Sequence, residues 1–159
     1  MKSFKFWLFC IIAFIFWKLA FSTDIAKDII KKTISPSLQS DAPSDAAVEE
    51  YARVGAASAH AQFQKALPDD GITKSARAYS QGKAVVYEMV LAIRADVTEA
   101  ELAVWRAGSR SEVVPAACVL LRANGEFFEK GLHFRYRYLE RSGQVLDDFL
   151  VNRPACEAL

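Results

Sequence analysis

The chain is poor in the groups from which most metal sites and hydrolytic centres are built. Its 159 residues include two histidines, His60 and His133, and three cysteines, Cys10, Cys118 and Cys156. None stands at the spacing of a zinc site, so no metal is expected. No Gly-x-Ser-x-Gly elbow, phosphate-binding loop or dinucleotide glycine pattern occurs, and no cofactor is expected. Net charge is also nearly lacking, at +1. That removes global steering toward nucleic acid or acidic lipid. The acidic pairs give no glycosidase geometry. Asp69 and Asp70 precede Gly71, which is ordinary turn chemistry. Asp147 and Asp148 are neighbours in a strand and point to opposite faces.

What the chain does have begins with a hydrophobic N-terminus. Lys2 and Lys5 precede an apolar run over Phe6–Trp17, and Ala20-Phe21-Ser22 offers a small-x-small end. A basic start, an apolar run of about twelve residues and such an end make a signal peptide. The competing reading is an uncleaved inner-membrane anchor with aromatic ends, since Trp7 and Trp17 bracket the run. Residues 1–22 are therefore a signal peptide or anchor. Cys10 lies inside the run and has no lipoprotein-signal context.

Residues 23–44 read as stem and linker. Ile25, Ile29, Ile30 and Ile34 recur at near-helical spacing among Lys27, Asp28, Lys31 and Lys32. The stretch Ser35–Ser44 then carries two prolines, four serines and no apolar period. The folded domain spans 45–159. Val48, Tyr51, Val54, Ala59 and Phe63 mark a helix from Asp45 to about Ala66. Ile72–Tyr79 and Ala84–Ile93 read as strands around the turn Ser80–Lys83. The second of these is apolar on both faces, which marks a central strand. Thr98-Glu99-Ala100-Glu101 is a capping box opening a second helix. Gly108 and Pro115 predict that this helix breaks, with a further one over about Ala117–Lys130 stopping at Gly131. A final hairpin follows. Phe134, Tyr136 and Tyr138 face inward, alternating with His133, Arg135 and Arg137 facing outward, and Ser142-Gly143 is its turn. Two hairpins separated by helix predict an α+β fold, with an antiparallel sheet of about four strands packed against helices on one side.

Cys118 and Cys156 frame that last helix and hairpin. In an exported chain the pair reads as a disulfide, and two buried free thiols are the alternative. Tyr51, Val54 and Phe63 are candidate partner-binding residues, lining a groove between the first helix and the sheet that takes a partner helix through apolar contacts. The stripe containing Arg135 and Arg137 is a candidate for electrostatic selectivity.

Several stretches of the domain resemble the small α/β pilotins of bacterial type II secretion. They are Leu67-Pro68, Cys118, Gly131-Leu132-His133-Phe134-Arg135-Tyr136, and Gly143 through Val151 to Cys156. The resemblance implies a non-enzymatic periplasmic helper that binds a short segment of a secretin subunit and guides it to the outer membrane. The chain departs from that family in lacking a lipobox. The function expected is thus protein binding within a secretion or envelope assembly, without nucleic acid. An envelope inhibitor or immunity protein, or a small hydrolase with an unrecognised site, are the alternatives.

Overall fold

The computed structural model describes residues 42–67, 72–93 and 97–159. The readings of residues 1–41, and of the Asp69-Asp70-Gly71 turn, lie outside them. The first helix, α1, spans Asp45–Lys65 and is capped by Ser44, whose hydroxyl accepts from the Ala47 backbone amide. Small residues at helical spacing let it lie close on the sheet. Val48, Ala52, Ala56, Ala59 and Phe63 are all buried.

Strands β1 (Thr73–Gln81) and β2 (Ala84–Leu91) form an antiparallel hairpin with Ala78 opposite Tyr87. Helix α2 follows over Glu99–Ala123 and a short α3 over Gly125–Glu129. The second hairpin is β3 (His133–Glu140) and β4 (Val145–Val151), with Tyr136 opposite Phe149. A last short helix, α4, spans Arg153–Glu157. The sheet order is β1-β2-β3-β4.

The sheet is mixed, not antiparallel as expected. β2 and β3 run parallel in register, Ala84 beside His133 through to Leu91 beside Glu140. The reason is that α2 does not break. Pro115 sits inside a single helix of 25 residues. At about 1.5 Å per residue such a helix spans roughly 37 Å, longer than the roughly 26 Å of an eight-residue strand. It therefore carries the chain back to the end where β2 began, and β3 must start beside it. Pro115 is tolerated because it is exposed, as is Ser111 four residues earlier, so the carbonyl it leaves unpaired faces water. Val113, Ala117, Cys118 and Leu121 anchor the helix around it. The expected capping box is present, with Glu101 accepting from the Thr98 amide at 3.0 Å.

The chain turns instead at Asn124-Gly125, which separates α2 from α3. Gly131 then closes the helical region at φ +96°, a conformation that suits glycine. Lys83 ties these pieces together. Its ammonium pairs with Asp45 at the start of α1 at 2.7 Å and donates to the Lys130 carbonyl at 3.0 Å.

Both long helices cover the same face of the sheet. There Phe134, Tyr136, Tyr138, Phe149 and Val151 form the core with Leu121, Leu132 and Phe128. Phe134, Tyr136 and Tyr138 point inward, as their alternation indicates. Cys118 and Cys156, both 1% exposed, form a disulfide with Cα atoms 5.5 Å apart. It fastens α4 to α2. Arg122 of α2 also donates to the Cys156 carbonyl.

Candidate partner-binding groove

The two helices meet at one end. Tyr51 of α1 stacks on Phe127 of α3 with ring centroids 4.2 Å apart, and its hydroxyl donates to Asn124 Oδ1 at the end of α2. Burial raises the Tyr51 pKa, so its proton stays available for that bond. This contact identifies the flank of α1 that faces α2. At about 100° per residue, Gly55, Ser58 and Gln62 share the flank with Tyr51, and Val54 lies at its rim.

The opposing flank is identified the same way. Arg106 and Arg110 of α2 reach β4, donating to the Leu146 carbonyl at 2.6 Å and to Asp147 Oδ2 at 3.0 Å. Trp105 and Leu120 are partly buried against the core, Trp105 through Tyr138. Between the flanks the sheet supplies an aromatic floor. Tyr87 stacks on Tyr136 at 5.1 Å, and Trp105 meets Tyr138 edge-on at the same distance. Tyr87, Met89, Trp105, Leu120 and Tyr51 pack on the core and are partly buried. Burial pushes the Tyr138 hydroxyl up to about 12 and drives Tyr87 and Tyr136 higher, so all three remain neutral donors under ordinary conditions.

Tyr51, Tyr87, Met89, Trp105 and Leu120 are thus partly buried apolar and aromatic residues on the helix-covered face. The space between α1 and the sheet, where a groove was expected, is filled. Phe63 is 6% exposed and packs with Ala59, Ala78 and Tyr87. Tyr51 and Val54 are partly exposed, whereas Phe63 is buried.

Arg135 and Arg137 lie on the other face of the sheet, which no helix among the described residues covers. They belong to an ion network rather than a free stripe. Arg135 grips Asp148 with both Nε and Nη2 at 2.8 Å. Arg137 bridges Asp148, at 3.2 Å, and Glu88, at 3.1 Å. Glu88 also accepts from Arg77 at 2.7 Å and is only 4% exposed. The Arg135 guanidinium, with Arg137 beside it, holds the Asp148 carboxyl below the usual range. Glu88 at the centre of a strand gave no sequence signal of this role beyond its place in an otherwise apolar run.

The remaining candidates are structural in their surroundings. Asp147, on the helical face, is 5% exposed and bonded to Arg110, whose guanidinium also lies over the Phe149 ring. Asp148 is on the opposite face, as neighbouring strand residues require. His133 Nδ1 lies 2.9 Å from the Gly131 carbonyl, and His60 contacts Gln64. A cleft of about 210 Å³ beside the disulfide contains Arg153, which Glu129 and Glu157 already neutralise. Among the described residues no group of His, Cys, Asp and Glu is arranged to hold a metal, and no helix is long and apolar enough to cross a membrane.

No known protein family and no curated protein matches the sequence. Two solved structures are similar, and both are type II secretion pilotins, the class that the hairpin motifs resemble. One is EpsS, a pilotin from the Vibrio vulnificus type 2 secretion system. It is 20% identical, covers 69% of this chain and 94% of its own, and gives a TM-score of 0.46. The other is the type II secretion system pilotin AspS from Vibrio cholerae. It is 19% identical, covers 70% of this chain and 97% of its own, and gives a TM-score of 0.38.

Proposed function

We propose that this domain is a non-enzymatic accessory factor of a bacterial secretion or envelope assembly, and that it works by holding a helical segment of a partner between α1 and α2. The observation that carries the reading is the partly buried set of Tyr87 and Met89 on the sheet and Trp105 on α2, on the face where α1 meets the end of α2 and α3 through Tyr51, Phe127 and Asn124. An amphipathic helix laid there buries its apolar face on aromatic rings and a pliable methionine. The polar side chains Ser58 and Gln62, on the Tyr51 flank of α1, set its orientation. The resemblance to pilotins makes a short segment of a secretin subunit the leading occupant. The disulfide and the N-terminal hydrophobic segment favour a periplasmic domain, released or tethered to the inner membrane.

The acids of the structure support binding rather than catalysis. Glu88, Asp147 and Asp148, the acids of β2 and β4, are each committed to arginines. A photo-crosslinking amino acid at Met89, activated in intact envelopes, tests the proposal. Recovery of a membrane-assembly subunit through an amphipathic helix is expected. Recovery of a stoichiometric soluble enzyme would instead make the domain an inhibitor.

A further inference from the structure

The outer side of α2 carries an exposed ridge that matches its own reverse. We propose that this ridge is a homodimerisation surface, on which α2 of a second copy of the chain packs antiparallel about a two-fold axis passing between Ser111 and Glu112. The inference does not depend on the partner reading above.

Val113, Ala117 and Leu121 direct one side of the helix into the core. At about 100° per residue, Val104, Gly108, Ser111, Pro115 and Val119 lie on the opposite side. Val104 is 71% exposed and Val119 66% exposed, and Ser111 and Pro115 are exposed as well. Steps of three and four residues separate them, the interval at which one helix presents a continuous ridge to another. None of the five is charged. Glycine inside a helix is unfavourable, and Gly108 lies where packing on the sheet does not require it. A close contact with a second helix gives it a use. Glu101 and Arg122 stand at the two ends of the ridge.

The order of these residues identifies the occupant. In an antiparallel pair centred between Ser111 and Glu112, Val104 meets the partner's Val119, and Gly108 meets the partner's Pro115. Glu101 meets the partner's Arg122, so opposite charges close both ends. Two-fold symmetry makes every one of these contacts twice. A parallel pair would set each end charge against its own kind. Both end groups have donors and acceptors to spare. Glu101 caps the helix through Oε2, and Arg122 gives Nη2 to the Cys156 carbonyl, but a carboxylate and a guanidinium each serve several partners. The axis brings the two Ser111 side chains together along one rim and the two Glu112 carboxylates along the other, where their repulsion limits affinity. A single helix-on-helix contact falls at the small end of specific interfaces, below about 1,200 Å². The dimer is therefore concentration-dependent. Each sheet lies behind its own α2, so both sheets stay on the outside of the pair, and one dimer presents two domains to an assembly at once.

The test uses the full-length chain carrying Cys10→Ser, in intact envelopes and after extraction into detergent. With a short bis-maleimide, Ser111→Cys is expected to link to itself. Val104→Cys alone is not, because its two copies lie roughly 22 Å apart along the pair. Differently tagged Val104→Cys and Val119→Cys chains, co-expressed, are expected to link to each other. In sedimentation equilibrium, Val104→Glu and Val119→Lys should each raise the dimer dissociation constant about tenfold or more, and Val104→Glu/Val119→Lys should recover most of the loss by setting opposite charges across the interface. Glu112→Gln should tighten the dimer about threefold. The changes at Val104, Ser111 and Val119 are at exposed positions that the fold tolerates. Self-linking of Val104→Cys, no link at Ser111→Cys, or a double variant as weak as the single ones overturns the proposal. A Ser111→Cys adduct to a different protein overturns it too, and makes the ridge a surface for that partner instead.

Discussion

Removing the disulfide is the sharpest perturbation that the structure offers. Cys118 and Cys156 are 38 residues apart in sequence. The loop they close contains the end of α2, all of α3, both strands of the second hairpin and the start of α4. In the chain-entropy treatment, opening a loop of that size frees about 13 cal/mol/K in the unfolded chain, or about 4 kcal/mol at room temperature. The folded state has little reason to change. Both sulfurs are buried, and α4 stays held by Arg122 on the Cys156 carbonyl, by Arg153 on Glu129, and by the Asn152 cap on the Ala155 amide. The double change Cys118→Ala/Cys156→Ala is therefore expected to cost about 4 kcal/mol, a large share of the ~5–15 kcal/mol available to a small domain. In thermal unfolding this corresponds to a fall of roughly 15 °C in Tm. Chemical reduction of the wild type should give a loss similar to that of the double variant. Urea titration with far-UV circular dichroism measures all three. A loss below about 1 kcal/mol would refute the reasoning, because it would mean that the unfolded chain is already restrained or that the bond strains the fold. Free thiols at both positions in exported protein would remove its premise.

Further outcomes follow from the ion network and the glycines. Glu88→Ala strands Arg137 beside a buried site and is expected to cost about 3 kcal/mol, whereas Glu88→Gln keeps acceptor geometry and costs about 1 kcal/mol. Equal losses in urea titrations would show that the charge is not what matters. Asp148 has a depressed pKa in the folded state, so its contribution is present above the unfolded value of 3.8 and disappears as pH falls through the lower folded value. Asp148→Asn should therefore flatten the acid limb of the stability profile below about pH 4, and an unchanged limb would contradict this. Gly131→Ala places a Cβ at φ +96° and should destabilise by about 1–2 kcal/mol. Gly55→Ala lies mid-helix, where a new Cβ would sit 3.8 Å from Val85 Cγ2, and should stabilise by about 0.5–1 kcal/mol. Thermal melts that move both variants in the same direction would be inconsistent with the structure.

Much of the local structure was legible because local signals agree with one another. The Ser44 cap and the small apolar residues after it define α1. The Thr98–Glu101 box starts α2. Alternation through Phe134, Tyr136 and Tyr138 assigns the faces of β3. Pro115 misled because a proline's effect depends on where its ring points. On an exposed face the lost hydrogen bond is made good by water, and the buried residues around it keep the helix whole. That one continuity changes the sheet from antiparallel to mixed. Phe63 looked available because its helix face is apolar, but an apolar face does not announce whether a sheet already covers it. The pairing of Arg135 and Arg137 with Asp148 and Glu88 joins three strands, and no local pattern encodes it.

By itself, the sequence determined the starts of the two long helices, the inward face of the last hairpin and the two cysteines placed to be joined. These rest on interactions between residues a few positions apart, or on a pairing that leaves no alternative partner in the domain. Only the tertiary structure decided the parallel pairing of β2 and β3, the committed state of the arginines and the burial of Phe63 against the sheet. Those depend on distances between segments tens of residues apart. They are set by how far one unbroken helix carries the chain and by which surfaces are left uncovered once everything else has packed.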